Sequence, residues 1–139
     1  MDLEECFEKG IIKRAIVNEG LIKSLVEMSR IEETTIRIAV INETTISPYV
    51  SMAYDSLREI LEAICLFHGY KVLSHMCIGE LARKLLVDFD YHEFDRFRYI
   101  RNGINYYGKK VELSQGSEII KKIFEMKNHL TKKHLDKFL

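Results

Sequence analysis

An amphipathic stripe runs unbroken from Val50 to His68 through Tyr54, Leu57, Leu61 and Ile64, thickened by Ala53 and Ile60. Apolar residues at this spacing share one face of an α-helix. Ser47-Pro48 stands before the stripe, a capping hydroxyl followed by proline at the first helical position, and Gly69 stands after it as a C-terminal stop. A helix this long must bury its apolar face against other elements, so the rest of the chain is organised around it. One proline and seven glycines in 139 residues leave little turn chemistry for an all-β fold.

The neighbouring segments repeat the helical period. Ile11, Ile12, Ala15 and Ile16 lead into Leu21, Leu25 and Met28. The β-branched stretch from Thr34 to Ile46 has strand propensity, but its helical neighbours leave a lone strand nothing to pair with, so helix is expected there. Tyr70 to Leu73 reads as a connection to Ser74, which caps a helix through about Val87 with Ile78, Leu81, Ala82 and Leu85 inward. A loop over Asp88–His92 precedes a helix starting near Glu93, with Phe94, Phe97, Ile100 and Ile104 inward. After a turn near Lys109–Gly116, a last helix carries Ile119, Ile120, Ile123, Phe124, Leu130 and Phe138. The expected architecture is all-α: one domain over residues 1–139, an up-down four-helix bundle with an additional N-terminal helix.

At 47% hydrophobic and 30% charged, the composition is that of an ordinary globular domain. No apolar run approaches a membrane span, and the acidic start at Asp2, Glu4 and Glu5 lacks the basic and apolar regions of a signal peptide, so a cytoplasmic location is expected. Cys6, Cys65 and Cys77 cannot all pair and lack metal-ligand spacing; Cys65 is expected as a buried reduced thiol, with neither redox nor metal chemistry and no cofactor. The zero net charge hides a gradient: residues 93–139 carry eleven bases against six acids. That excess suits nucleic-acid contact or a solvated lysine face.

The chemistry concentrates in Arg101-Asn102-Gly103-Ile104-Asn105-Tyr106-Tyr107-Gly108. Guanidinium and amide donors this close fit phosphate oxygens. Two asparagines and a glycine inside a helix sacrifice local propensity, a departure typical of sites. Arg98 lies one turn from both Asp95 and Asn102, and Arg101 one turn from Asn105. An intersubunit hydrogen-bond network of Arg101 and the asparagines is the plain alternative. One of Tyr106 and Tyr107 is expected in the core, and either could stack on a base. Among the histidines, His75 follows a cap and could face a cleft, His68 is expected to pack in the core, and His92, His129 and His134 are expected in solvent.

The arginine–asparagine pair on this helix resembles the signature of HEPN domains (higher eukaryotes and prokaryotes nucleotide-binding). So do the Tyr54-Asp55-Ser56-Leu57-Arg58-Glu59 helix and the Gly69-Tyr70-Lys71-Val72-Leu73-Ser74-His75 turn. The resemblance covers residues 48–110, with flanking helices that suit a five-helix bundle. It implies a symmetric homodimer in which these helices form a shared cleft. Catalytic members are metal-independent endoribonucleases, in which an arginine holds the scissile phosphate and a histidine a little over one turn later helps activate the ribose hydroxyl. Many are toxins silenced by a minimal nucleotidyltransferase encoded beside them.

Arg101 matches that arginine and Asn102 the polar residue that follows it. Tyr106 occupies the histidine position, and a phenol with a reference pKa of about 10 is a poor substitute for imidazole as a base. Gly108 stands where some toxin members carry a tyrosine. The resemblance therefore implies a nucleotide- or RNA-binding or interaction module without ribonuclease activity, potentially paired with a nucleotidyltransferase in a toxin–antitoxin arrangement. Arg98, Arg101, Asn102, Asn105 and Tyr106 would form its binding or dimer cleft. The alternatives are an active endoribonuclease in which Tyr106 or His75 works with Arg101, and a purely structural helical adaptor.

Overall fold

A computed structural model describes residues 1–139 as six α-helices, two short strands and a terminal 3-10 turn. The stripe from Val50 to His68 becomes the central helix α3, Ile46–Phe67. Its buried residues include Val50, Tyr54, Leu57, Leu61 and Ile64, part of one core cluster of 31 buried residues. Helix α2, Glu19–Ile38, and helix α6, Leu113–His134, pack along it, and α4, His75–Leu85, and α5, Tyr91–Tyr107, cover another side. The helical period in the sequence thus yields a mostly helical, bundle-like fold. No helix is long and apolar enough to cross a membrane.

Local signals set most helix ends. Asn18, Ser74 and Asp90 each accept a backbone N–H from three residues on, starting α2, α4 and α5. Gly69 and Gly108 stand just past α3 and α5 with φ of +86° and +63°, where a Cβ would be strained. The start of α3 differs from expectation. Ser47 is not its cap: the helix begins at Ile46, and the Ser47 hydroxyl accepts a bond from Val111 N–H at 3.0 Å. Asn42 instead organises the preceding turn, accepting from the Thr44 and Thr45 amides. The β-branched stretch is accordingly helical only to Ile38, and residues 39–45 form a connection.

Residues 11–16 also depart from the helical reading. Ile12–Arg14 is strand β1, paired antiparallel with β2, Tyr70–Val72, in the register Ile12↔Val72 and Arg14↔Tyr70. Bonds from Ala15 N–H to Gly69 O and from Leu73 N–H to Ile11 O extend the ladder. The Tyr70–Leu73 connection supplies a partner that no local pattern announces. Ile16, free of any helix, is 93% exposed.

Two further expectations are corrected. His68 lies outside the core: it is the exposed cap residue after α3, its ring edge-on to Phe67. His134 is largely covered, contrary to expectation, and both it and His129, which does stay exposed, bond to Asp88 at 3.1 and 2.9 Å, tying the α4–α5 connection to α6. Burial alone would raise the Asp88 carboxyl, but the bond from His134, a backbone N–H and the bond from His129 together hold it below its ordinary range. Two of the three cysteines pair, a bond not expected from the sequence. Cys6 of the short helix α1, Leu3–Glu8, forms a disulfide with Cys77 on the first turn of α4, across 71 residues. Cys65 is the free buried thiol, pushed up to about 12 by burial.

Candidate functional site

Helix α5 carries the Arg101–Tyr107 segment as continuous helix despite Asn102, Gly103 and Asn105. Only Phe94 and Phe97 of this helix are fully buried, and it packs on α3 and α4. Its polar strip meets the charged face of α3 at Ser51 and Asp55, and that face continues along α3 through Arg58, Glu59 and Glu62.

Arg101 is the centre. Its side chain is 12% exposed, and its guanidinium sits 5.6 Å from the Tyr54 ring centroid and 5.5 Å from that of Tyr106. Nη1 donates to the Tyr106 hydroxyl at 3.1 Å and more weakly to Asn102 Oδ1 at 3.4 Å. The nearest carboxylate oxygen, Asp55 Oδ1, stands 3.7 Å from Nη2, an ion-pair distance beyond a hydrogen bond. Nε has no partner. The guanidinium thus lies close to two aromatic rings and keeps donors unmatched.

The other expected residues are divided around it. Arg98 is closed on Asp95 through bonds of 2.8 and 3.1 Å, leaving it a supporting charge. Asn105 faces α3, where its Oδ1 accepts from the Ser51 hydroxyl at 2.8 Å. Neither Tyr106 nor Tyr107 is core; they are 68% and 77% exposed, contrary to expectation. His75 does join the site. Its ring centroid lies 5.7 Å from that of Tyr54, and burial followed by repulsion from Arg58, Arg101 and Arg98 drives its pKa down to about 4. It is thus neutral near pH 7, with an imidazole able to accept a proton but weakly basic.

Several participants went unassigned in the sequence. Tyr54 is fully buried under Arg101, its hydroxyl unpartnered and its ionisation pushed upward chiefly by burial. Asp55 is raised by burial, against the pull of Arg101 and Arg58. Glu59 is driven to about 9 by burial and by the neighbouring Glu32, whose hydrogen bond favours the protonated carboxyl. Arg58 pairs with Glu62 at 2.9 Å and approaches Glu59 at 3.9 Å. The readable signal was charge on the most buried helix, at the one-turn spacing of Ser51, Asp55 and Glu59.

With the proton shared between Glu59 and Glu32 pairing their facing oxygens, the buried side-chain polar atoms left without partners are Tyr54 Oη, Arg58 Nε and Arg101 Nε. All three lie on α3 or α5. Each unmet group costs about 1–3 kcal/mol, and native proteins concentrate such costs where function requires them. No group of three or more His, Cys, Asp or Glu side chains is placed to hold a metal ion.

No protein-family model, curated protein or solved structure matches this chain. Fold and site together define a mostly helical protein with an incompletely paired arginine on the rim of its core.

Proposed function

We propose that the Arg101 strip holds a phosphate group of RNA or a nucleotide, in a HEPN-like module that binds without cutting. The observation that carries this reading is Arg101 itself: close to two rings, nearly buried, with an unmatched Nε and no carboxylate within hydrogen-bond reach. Asn102 and Tyr106 flank the same guanidinium, and Tyr106 presents an exposed ring on which a base can stack. Tyr106, a phenol and a poor base, is the residue that stands beside the guanidinium, which favours binding over strand cleavage.

The same reading includes a homodimer built as an up-down helical bundle, its α5 helices meeting at a shared cleft. Support comes from the outward side of α5, where Tyr99, Tyr106 and Tyr107 stay exposed in the single chain. A minimal nucleotidyltransferase is the partner this family type implies. The active-endoribonuclease alternative draws on one observation, the neutral His75 within the electrostatic reach of Arg101.

Fluorescence anisotropy with labelled single-stranded RNA across a salt series tests the binding claim, since phosphate contacts give a steep salt dependence. Binding lost in Arg101→Ala supports it; salt-insensitive or absent binding returns the protein to a structural adaptor. Incubating the same RNA with EDTA decides activity: cleavage that vanishes in Arg101→Ala would replace the non-cutting reading with the nuclease. Light scattering reports whether the particle has twice the 16.3 kDa chain mass.

A further inference from the structure

Between α2, α6 and the terminal turn lies a cavity of about 420 Å³, none of whose lining residues belongs to the Arg101 strip. Its volume is within the range of small-molecule pockets. At its inner side stands Lys127, a lysine only 3% exposed. The ammonium ion-pairs with Glu33 at 2.5 Å, donates to the Ser29 carbonyl at 3.3 Å and lies over the Phe124 ring. An ammonium has three donors, and these contacts use two. Burial pushes Lys127 below the ordinary lysine range, opposed by Glu33.

The charges around this ammonium do not cancel. Glu33 answers to Lys127 and also to Arg37, whose Nη2 is 2.7 Å away, so one carboxylate serves two cations. Arg30 is no help, being closed on Glu27 by bonds of 2.7 and 2.8 Å. Counting the lining side chains together with Glu32, which also acts on Lys127, four cations (Lys23, Arg30, Arg37 and Lys127) stand against three carboxylates (Glu27, Glu33 and Glu32), a net charge of +1 that one monoanionic group neutralises and a phosphate dianion would exceed. Beside the charges, Val26, Ile60 and Phe138 form an apolar wall. A structural ion pair accounts for Lys127 meeting Glu33. It does not account for an open cavity beside them or for the second cation.

We propose that this cavity binds a small amphipathic carboxylate, its charged end on Lys127 and Arg37 and its apolar body against Val26, Ile60 and Phe138. The site is independent of the Arg101 reading and stands if that reading fails.

Isothermal titration of the intact chain with sodium octanoate, and separately with inorganic phosphate, tests it. Saturable one-to-one binding of octanoate is expected, weakened roughly ten- to a hundredfold in Lys127→Met by loss of the charge-assisted contact. Should Lys127→Met fail to fold, Thr34→Trp serves: Thr34 is an exposed lining residue of α2, and an indole there fills the mouth while leaving the buried pair intact. Loss of octanoate binding in either folded variant supports the site. No saturable binding to the natural chain, unchanged affinity in the folded variants, or binding of phosphate in place of octanoate overturns it.

Discussion

The Tyr106 hydroxyl accepts a hydrogen bond from Arg101 Nη1 at 3.1 Å while its ring centroid stays 5.5 Å from the same guanidinium. Ring and hydroxyl thus hold the arginine in different ways, and two substitutions separate them. Tyr106→Phe keeps the ring, and the guanidinium donor released from the hydroxyl becomes free for phosphate, so the two changes offset and RNA affinity should change by less than about threefold. Tyr106→Ala removes the stacking surface, worth about 1–3 kcal/mol per base, and should weaken binding by roughly an order of magnitude or more. Arg101→Lys should not rescue Arg101→Ala, because an ammonium lacks the planar fork that lies close to two rings. Equal losses for Tyr106→Phe and Tyr106→Ala in anisotropy titrations would discard the stacking role.

His75 reports on the same site by titration. Its pKa falls from 6.5 to about 4 through burial and the cations Arg58, Arg101 and Arg98. Between those values the unfolded chain binds a proton that the folded chain refuses, so this residue makes stability fall as pH drops from 6.5 towards 4. Imidazole NMR spectra at pH 5.5 should show His75 in its neutral form. A bound phosphate offsets the three arginines and should move the pKa upward. A His75 already charged at pH 5.5 in the free protein would contradict this account of the site.

Glu59 titrates with the opposite sense. Its carboxyl, packed beside Glu32 and only partly offset by Arg58, is raised from 4.5 to about 9. Across that interval the folded state holds a proton that the unfolded chain has released, so stability contributed by this group falls as pH rises, until the folded carboxyl itself ionises. Glu59→Gln supplies a permanently neutral isostere. It should be more favourable at pH 8 than at pH 5 by about 1–3 kcal/mol, the scale of a buried polar group's desolvation. Urea melts at the two pH values measure it, and an identical effect at both would show that Glu59 is ordinarily ionised. Glu33 and Asp88, both lowered, act in the other direction and lose their contribution as pH falls.

Helix-scale features were legible wherever a local rule decides them. Ser74 announces α4 through a hydroxyl that meets the Cys77 amide, and Gly108 ends α5 because a left-handed residue is needed there. Ser47-Pro48 misled because the same hydroxyl has a second acceptor role: Val111, 64 residues away, claims it. Ile12 and Val72 were opaque for a related reason, since apolar spacing within each segment contains no record of the other. At the site, Arg101, Asn102 and Tyr106 were visible by composition alone. Tyr54 and Asp55 were not assigned, because a tyrosine and an aspartate on a long amphipathic helix look like core and surface until α5 is laid across them.

The chain's three thiols should behave as two classes. Cys6 and Cys77 join α1 to α4 across 71 residues. By the chain-entropy argument, closing a loop of that length stabilises the fold by about 4 kcal/mol. Cys65 sits on α3 inside the core, and its raised pKa, near 12, leaves almost no thiolate at neutral pH. A thiol-reactive reagent should therefore count no thiols in the native protein and one after unfolding without reductant. Reduction followed by unfolding should bring the count to three. A dithiol, or Cys6→Ser, should lower the melting temperature, while the helical circular dichroism signal persists at 25 °C because α1 is short and peripheral. Two reactive thiols in the native, unreduced chain would show that Cys6 and Cys77 are not joined, and the stabilisation assigned to them would go with the bond.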